Sequence, residues 1–275
     1  MSDGKFGTGT LRLTRRHFVV AGILVAGLAG VARGETGVVE RDVLVPTPDG
    51  SADAILFHPA GGSGQWPAVL LWPDIMGLRP ALREVGRRLA EAGYVVLLPN
   101  AFYRSAGRGE ADVRQRLQSW RAAITPEGFV HDAAAYLAYL DAQPQTDASR
   151  KAGTLGYNVG GAYAFRAAAA LPDRIGAVAS FYGLGVATAR PDSPHLFVAN
   201  SKAAYLVALA RNDDAREPQD REDLAAAFRD ARLAARVEVY PADHGWCLPD
   251  MPAYDPAAAE RAWGELLTLF RDNLG

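Results

Sequence analysis

The sequence predicts an α/β fold: one doubly wound, mostly parallel sheet preceded by a β-hairpin. Three observations carry this. Short apolar runs alternate with helical patterns from Ala68 to the C-terminus. The segment Gly156-Tyr157-Asn158-Val159-Gly160-Gly161 reads as a glycine-flanked turn between a strand and a helix. An acidic residue follows a later strand and a histidine follows the last one.

The elements are taken in order. Val38 to Val45 and Ala52 to Phe57, separated by Thr47-Pro48-Asp49-Gly50, form the opening hairpin. Ala68 to Trp72 is a buried strand. Ala81 to Ala92 is a helix, its apolar face marked by Leu82, Val85 and Leu89. Tyr94 to Leu98 is the next strand. Residues 105–125 are charged and glycine-containing, with a helix near Val113 to Ala123; they read either as a lid or as a solvated loop. Phe129 to Leu140 is helical. Ala152 to Leu155 is the strand before the turn, and Ala162 to Leu171 the helix after it. Ile175 to Phe181, Tyr205 to Leu209 and Val237 to Tyr240 are strands. A charged helix is expected near Asp220 to Ala235 and an amphipathic one over Ala257 to Leu274.

The central turn has the form of a nucleophile elbow, in which flanking glycines let the backbone turn sharply and expose the middle side chain. That middle residue is Asn158, and a carboxamide is a poor nucleophile. Asp213, after the Tyr205 strand, and His244, in the loop Pro241-Ala242-Asp243-His244-Gly245-Trp246, follow in the chain order of an α/β-hydrolase triad. In such a triad the acid orients the imidazole and the imidazole moves the proton. Asp214 is the fallback for the acid.

These residues resemble the dienelactone hydrolase family, and the likeness runs from about Val38 to the C-terminus. Trp72-Pro73-Asp74-Ile75-Met76-Gly77-Leu78 looks like the family segment that usually carries Glu at the position of Asp74. Gly93 to Pro99 with Tyr103-Arg104, and His244-Gly245-Trp246-Cys247 through Trp263, match further family segments. The family elbow residue is normally cysteine. The resemblance implies Asn158 at the nucleophile position, Asp213 as orienting acid and His244 as base. It implies an oxyanion hole from the Ile75 and Val159 N–H groups, and Arg104 as one of two arginines holding a substrate carboxylate. The second arginine is replaced by Leu248. Asp74 reads as a substrate or histidine contact, or as a cap of its own segment. Trp246 and Phe102 read as pocket walls or as core. The implied activity is hydrolysis of a small carboxylic ester or lactone, by a route that tolerates Asn158. The alternative is an inactive pseudo-hydrolase that binds a small ligand in the same pocket.

Composition narrows the rest. The 275 residues with 49% hydrophobic content support one sizeable core over residues 33–275. A net charge of −2 gives no basic excess for nucleic acid. His58, His131 and His195 lack metal-ligand spacing, Asn212-Asp213-Asp214 does not continue as a calcium loop, and no metal is expected. Gly153 to Gly156 does not complete a dinucleotide fingerprint, so no cofactor is expected. Cys247 is the single cysteine, a small buried hydrophobe or a displaced nucleophile. Thr14-Arg15-Arg16-His17-Phe18 before the apolar run to Ala32 reads as a twin-arginine signal, with Gly30-Val31-Ala32 at the cleavage site. The run is short of the about 20 residues a spanning helix needs, although an uncleaved anchor is the other reading. A periplasmic or exported product without a stable membrane span, delivered by the twin-arginine machinery, is the expectation.

Overall fold

A computed structural model describes residues 37–61, 65–104 and 126–275. The proposed signal at 1–32 and the segment 105–125 lie outside the described residues.

The chain opens with β1 (Val38–Thr47) and β2 (Gly50–Pro59), paired antiparallel around a turn at Pro48-Asp49. It continues through β3 (Ala68–Trp72), α1 (Pro80–Glu91), β4 (Val95–Pro99) and α2 (Pro126–Asp141). Then come β5 (Ala152–Tyr157), α3 (Val159–Ala170) and β6 (Ile175–Phe181). A 3₁₀ turn at Pro194–Asn200 leads into β7 (Ala204–Ala210), α4 (Arg211–Arg216), α5 (Pro218–Ala231), β8 (Ala235–Tyr240) and α6 (Pro256–Asn273). The eight strands lie in the order β1-β2-β4-β3-β5-β6-β7-β8. β2 meets β4 antiparallel, and every pairing from β4 to β8 is parallel. This is the α/β-hydrolase architecture the sequence predicts, mostly parallel with a hairpin at one edge.

Both faces of the sheet are covered, which is why the central strands read as unbroken apolar runs. Side chains of a strand alternate between faces. Leu70 and Trp72 therefore pack with Phe129 and Tyr136 of α2, Phe165 of α3 and Phe228 of α5. Val69 and Leu71 pack on the other side with Leu82 and Leu89 of α1 and Leu266 and Phe270 of α6. Proline stands at the first position of α1, α5 and α6, where its missing N–H costs nothing. Asp255 caps α6 by accepting the Ala258 N–H at 3.0 Å.

One reading is adjusted, and two features were not read from the sequence. The helix expected to reach Ala235 stops at Ala231, because Arg232 takes a left-handed conformation and β8 begins at Ala235. The acid after β7 lies on a short helix, α4. The Pro194–Asn200 turn has no signal in the hydrophobic pattern.

Candidate active site

The turn after β5 holds its side chain under backbone strain. Asn158 has φ 54° and ψ −122°, a conformation non-glycine residues rarely adopt. Three backbone bonds fix it. Its N–H donates to Phe181 O at 3.2 Å, and its C=O accepts from Gly161 N at 3.1 Å and Leu184 N at 3.1 Å. The glycines are required by close approach. A Cβ on Gly156 would lie 2.0 Å from Gly160 O, and one on Gly160 would lie 2.6 Å from Pro73 O. The second of these contacts presses the start of α3 against the segment leaving β3, which carries Ile75.

Asp213 on α4 and His244 in the loop after β8 are brought to this turn because β5, β6, β7 and β8 are parallel neighbours. Their C-terminal ends open on one crevice. His244 Nδ1 lies 2.5 Å from Asp213 Oδ2, and His244 Nε2 lies 2.7 Å from Asn158 Nδ2. A carboxylate can only accept, so Nδ1 carries the proton and Nε2 presents its lone pair to the amide. Asn158 Oδ1 in turn accepts the Val159 N–H at 2.7 Å. Burial pushes the Asp213 carboxyl up, but the hydrogen bond and charge of His244, with Arg216 at 2.9 Å, outweigh it and hold the group below its usual range.

Three residues not assigned roles from the sequence complete the arrangement. Asn212 Oδ1 accepts the His244 backbone N–H at 2.8 Å and so anchors the loop to α4. Arg216 takes the second oxygen of Asp213. Tyr182, buried with φ 39°, sets its ring edge-on against the imidazole at 4.9 Å. The Arg216 spacing of three residues along a helix was available in the sequence; the Asn212 and Tyr182 contacts are tertiary.

The remaining expectations divide. The Ile75 N–H has no hydrogen-bond partner among the described residues, whereas Val159 N–H is taken by Asn158. Asp74 is 3% exposed; it accepts the Met76 N–H at 2.9 Å and pairs through both oxygens with Arg79. Asp74 therefore caps and braces the segment carrying Ile75, and Arg79 links it onward to Asp250. Asp214, the fallback acid, has a side chain that is 16% exposed and faces Arg221 at 3.5 Å, while Asp213 makes the contact to the imidazole.

Two substrate-binding expectations are corrected. The Arg104 guanidinium is bound to Asp132 at 2.6 Å and Asp49 at 2.5 Å, tying the end of β4 to α2 and to the hairpin turn. To hold a substrate carboxylate it would have to leave two carboxylates already in contact. Trp246 is fully buried, stacked on Tyr240 at 4.5 Å and edge-on to Tyr182, so it is core and not a pocket wall. Phe102 is likewise buried. Burial pushes the Cys247 thiol well above its usual range, which disfavours the thiolate a nucleophile needs. Among the described residues no group of three or more His, Cys, Asp or Glu side chains is placed to hold a metal, and no helix is long and apolar enough to cross a membrane.

Comparison with known proteins bears on the family and the fold. A carboxymethylenebutenolidase from Pseudomonas sp. (strain P51) is 28% identical over 227 residues, 81% of this chain and 90% of the relative. A dienelactone hydrolase-like promiscuous phosphotriesterase from metagenomic libraries superposes with a TM-score of 0.75 at 23% identity, over 87% of this chain and all of the other. A dienelactone hydrolase from Anabaena variabilis does so with a TM-score of 0.66 at 20% identity, over the same shares. These two structures share the fold. Residues 52–274 match the dienelactone hydrolase family as a whole, and the chain belongs to that family.

Proposed function

We propose that the protein hydrolyses a small carboxylic ester or lactone, with water in place of a covalent nucleophile. The observation that carries this reading is the His244 tautomer: a lone pair on Nε2, aimed at the elbow and backed by an ionised Asp213. His244 takes a proton from a water, and the water attacks the substrate carbonyl. The carbonyl oxygen is polarised by the Ile75 and Val159 N–H groups once the Asn158 amide has turned away from Val159. Sites that lack the triad nucleophile retain about 10³–10⁴-fold acceleration from the oxyanion hole and binding. The related carboxymethylenebutenolidase supports a lactone or ester as the substrate class.

A second reading, ligand binding without turnover, is favoured by one observation: the Asn158 carbonyl already occupies the Val159 N–H. Assaying the purified protein and its His244→Ala variant against short acyl esters and lactones separates the two. Turnover lost with His244 supports the hydrolase; no turnover by the unaltered protein supports the binding module.

The Arg15-Arg16 pair and the apolar run to Ala32 support export through the twin-arginine machinery to the periplasm. Precursor that still reaches the periplasm after both arginines are changed to lysine would rule that route out.

A further inference from the structure

The Asn158 side chain lies in its own site in the pose of an amide substrate. Its carbonyl oxygen accepts the Val159 N–H at 2.7 Å, and its nitrogen donates to His244 Nε2 at 2.7 Å. Acyl transfer from an amide needs these same two contacts: a polarised carbonyl, and an imidazole beside the leaving nitrogen. Val159 is the first residue of α3, so the helix N-terminus adds positive potential at the oxygen. Asn158 is itself 9% exposed, and the pair is open to solvent from the His244 side, whose side chain is 22% exposed.

We propose that Asn158 is a self-processing site, at which the chain hydrolyses its own carboxamide to leave aspartate on the elbow. A water entering beside the amide displaces the Nδ2–H from His244 Nε2, gives Nε2 a proton and adds to Cγ, and the oxyanion that forms on Oδ1 is held by the Val159 N–H. Collapse breaks the Cγ–Nδ2 bond, the imidazolium returns the proton to the departing nitrogen, and ammonia leaves. One water is consumed, the new carboxyl ionises, and nothing is oxidised or reduced. The competing route, attack of the Val159 nitrogen on Cγ, needs that nitrogen deprotonated and turned onto carbon. Here its N–H donates to oxygen. The two routes differ in product, because ring closure yields isoaspartate as well as aspartate. The inference uses the Asp213–His244 pair of the proposed hydrolase but no external substrate, so the two can fail separately.

The test is peptide mass spectrometry of the full chain incubated in heavy-oxygen water. Trypsin releases Ala152–Arg166, in which Asn158 is the only side-chain amide. The expected result is conversion of residue 158 to aspartate with one solvent oxygen incorporated, free of isoaspartate, and slower by about 10²-fold in His244→Ala. Asn158 intact in the unaltered protein, equal conversion in His244→Ala, or isoaspartate as a main product would each overturn the proposal. Should His244→Ala not fold, urea-unfolded chain replaces it as the comparison, and conversion as fast in urea as in the folded protein is equally fatal. Absence of ester turnover in the same sample bears on the hydrolase reading alone.

Discussion

Asn158 Nδ2 and His244 Nε2 are 2.7 Å apart, on the line along which a triad nucleophile gives up its proton. The relationship survives with a donor that cannot attack. A thiol at this position should therefore find the base, the helix N-terminus and the oxyanion donors in place. Asn158→Cys is expected to raise ester cleavage by at least about 10²-fold over the unaltered protein, since a single oxyanion donor alone is worth about 10²–10³ in rate. Its thiol pKa should be depressed by His244 and the start of α3. Rates with short acyl esters, and the pH profile of thiol alkylation, measure both. An ordinary thiol pKa with no cleavage would favour the binding module.

Asp213 contributes to stability in a defined pH range. Burial opposes its ionisation, but His244 and Arg216 win and lower its folded pKa below the unfolded value. A group with a depressed folded pKa adds stability above its unfolded pKa, about 3.9 for aspartate, and loses it as pH falls through the folded value. Asp213→Asn should thus lower the melting temperature at pH 6 to 7. The gap to the unaltered protein should narrow as the pH is taken below about 4. Thermal melts of both proteins across that range are the measurement; a gap that widens in acid would contradict the assignment.

Arg79 is expected to matter more than its distance from the elbow suggests. It pairs with the buried Asp74 through two bonds, at 2.5 and 2.8 Å, and reaches Asp250 as well. Removing one partner of a buried pair leaves an uncompensated charge and costs about 3–5 kcal/mol. Arg79→Ala should destabilise by about that much in urea unfolding. Arg79→Ala with Asp74→Asn should recover part of it, because the stranded charge is gone.

Two glycines predict opposite outcomes. Gly156→Ala places a Cβ 2.0 Å from the Gly160 carbonyl oxygen, a backbone atom that cannot step aside, and should cost about 3 kcal/mol or more. Gly264 lies within α6, and a Cβ there meets nothing within 4 Å. Gly264→Ala should stabilise by about 0.5–1 kcal/mol. Denaturation midpoints compare the pair directly.

Local pattern sufficed wherever a residue's setting follows from its neighbours in sequence. The parallel strands are legible because burial on both faces leaves an apolar run, as from Ala68 to Trp72. The elbow is legible because close packing at Gly156 and Gly160 excludes side chains. Asp213 and His244 follow from chain order, since parallel strands bring successive C-terminal loops to one crevice. The tertiary structure decided what each polar group is paired with. Arg104 looks free for substrate in sequence, yet Asp132 and Asp49 meet it from distant segments, and Asp74 takes the local reading, paired with Arg79 five residues on. Trp246 lies two residues after His244 in sequence, but its ring turns into the core against Tyr240. The two contacts of the Asn158 amide became readable only when the positions of His244 and the Val159 N–H were known. Hydrogen bonds depend on distances between groups brought together by the sheet, and a linear pattern carries no such distances.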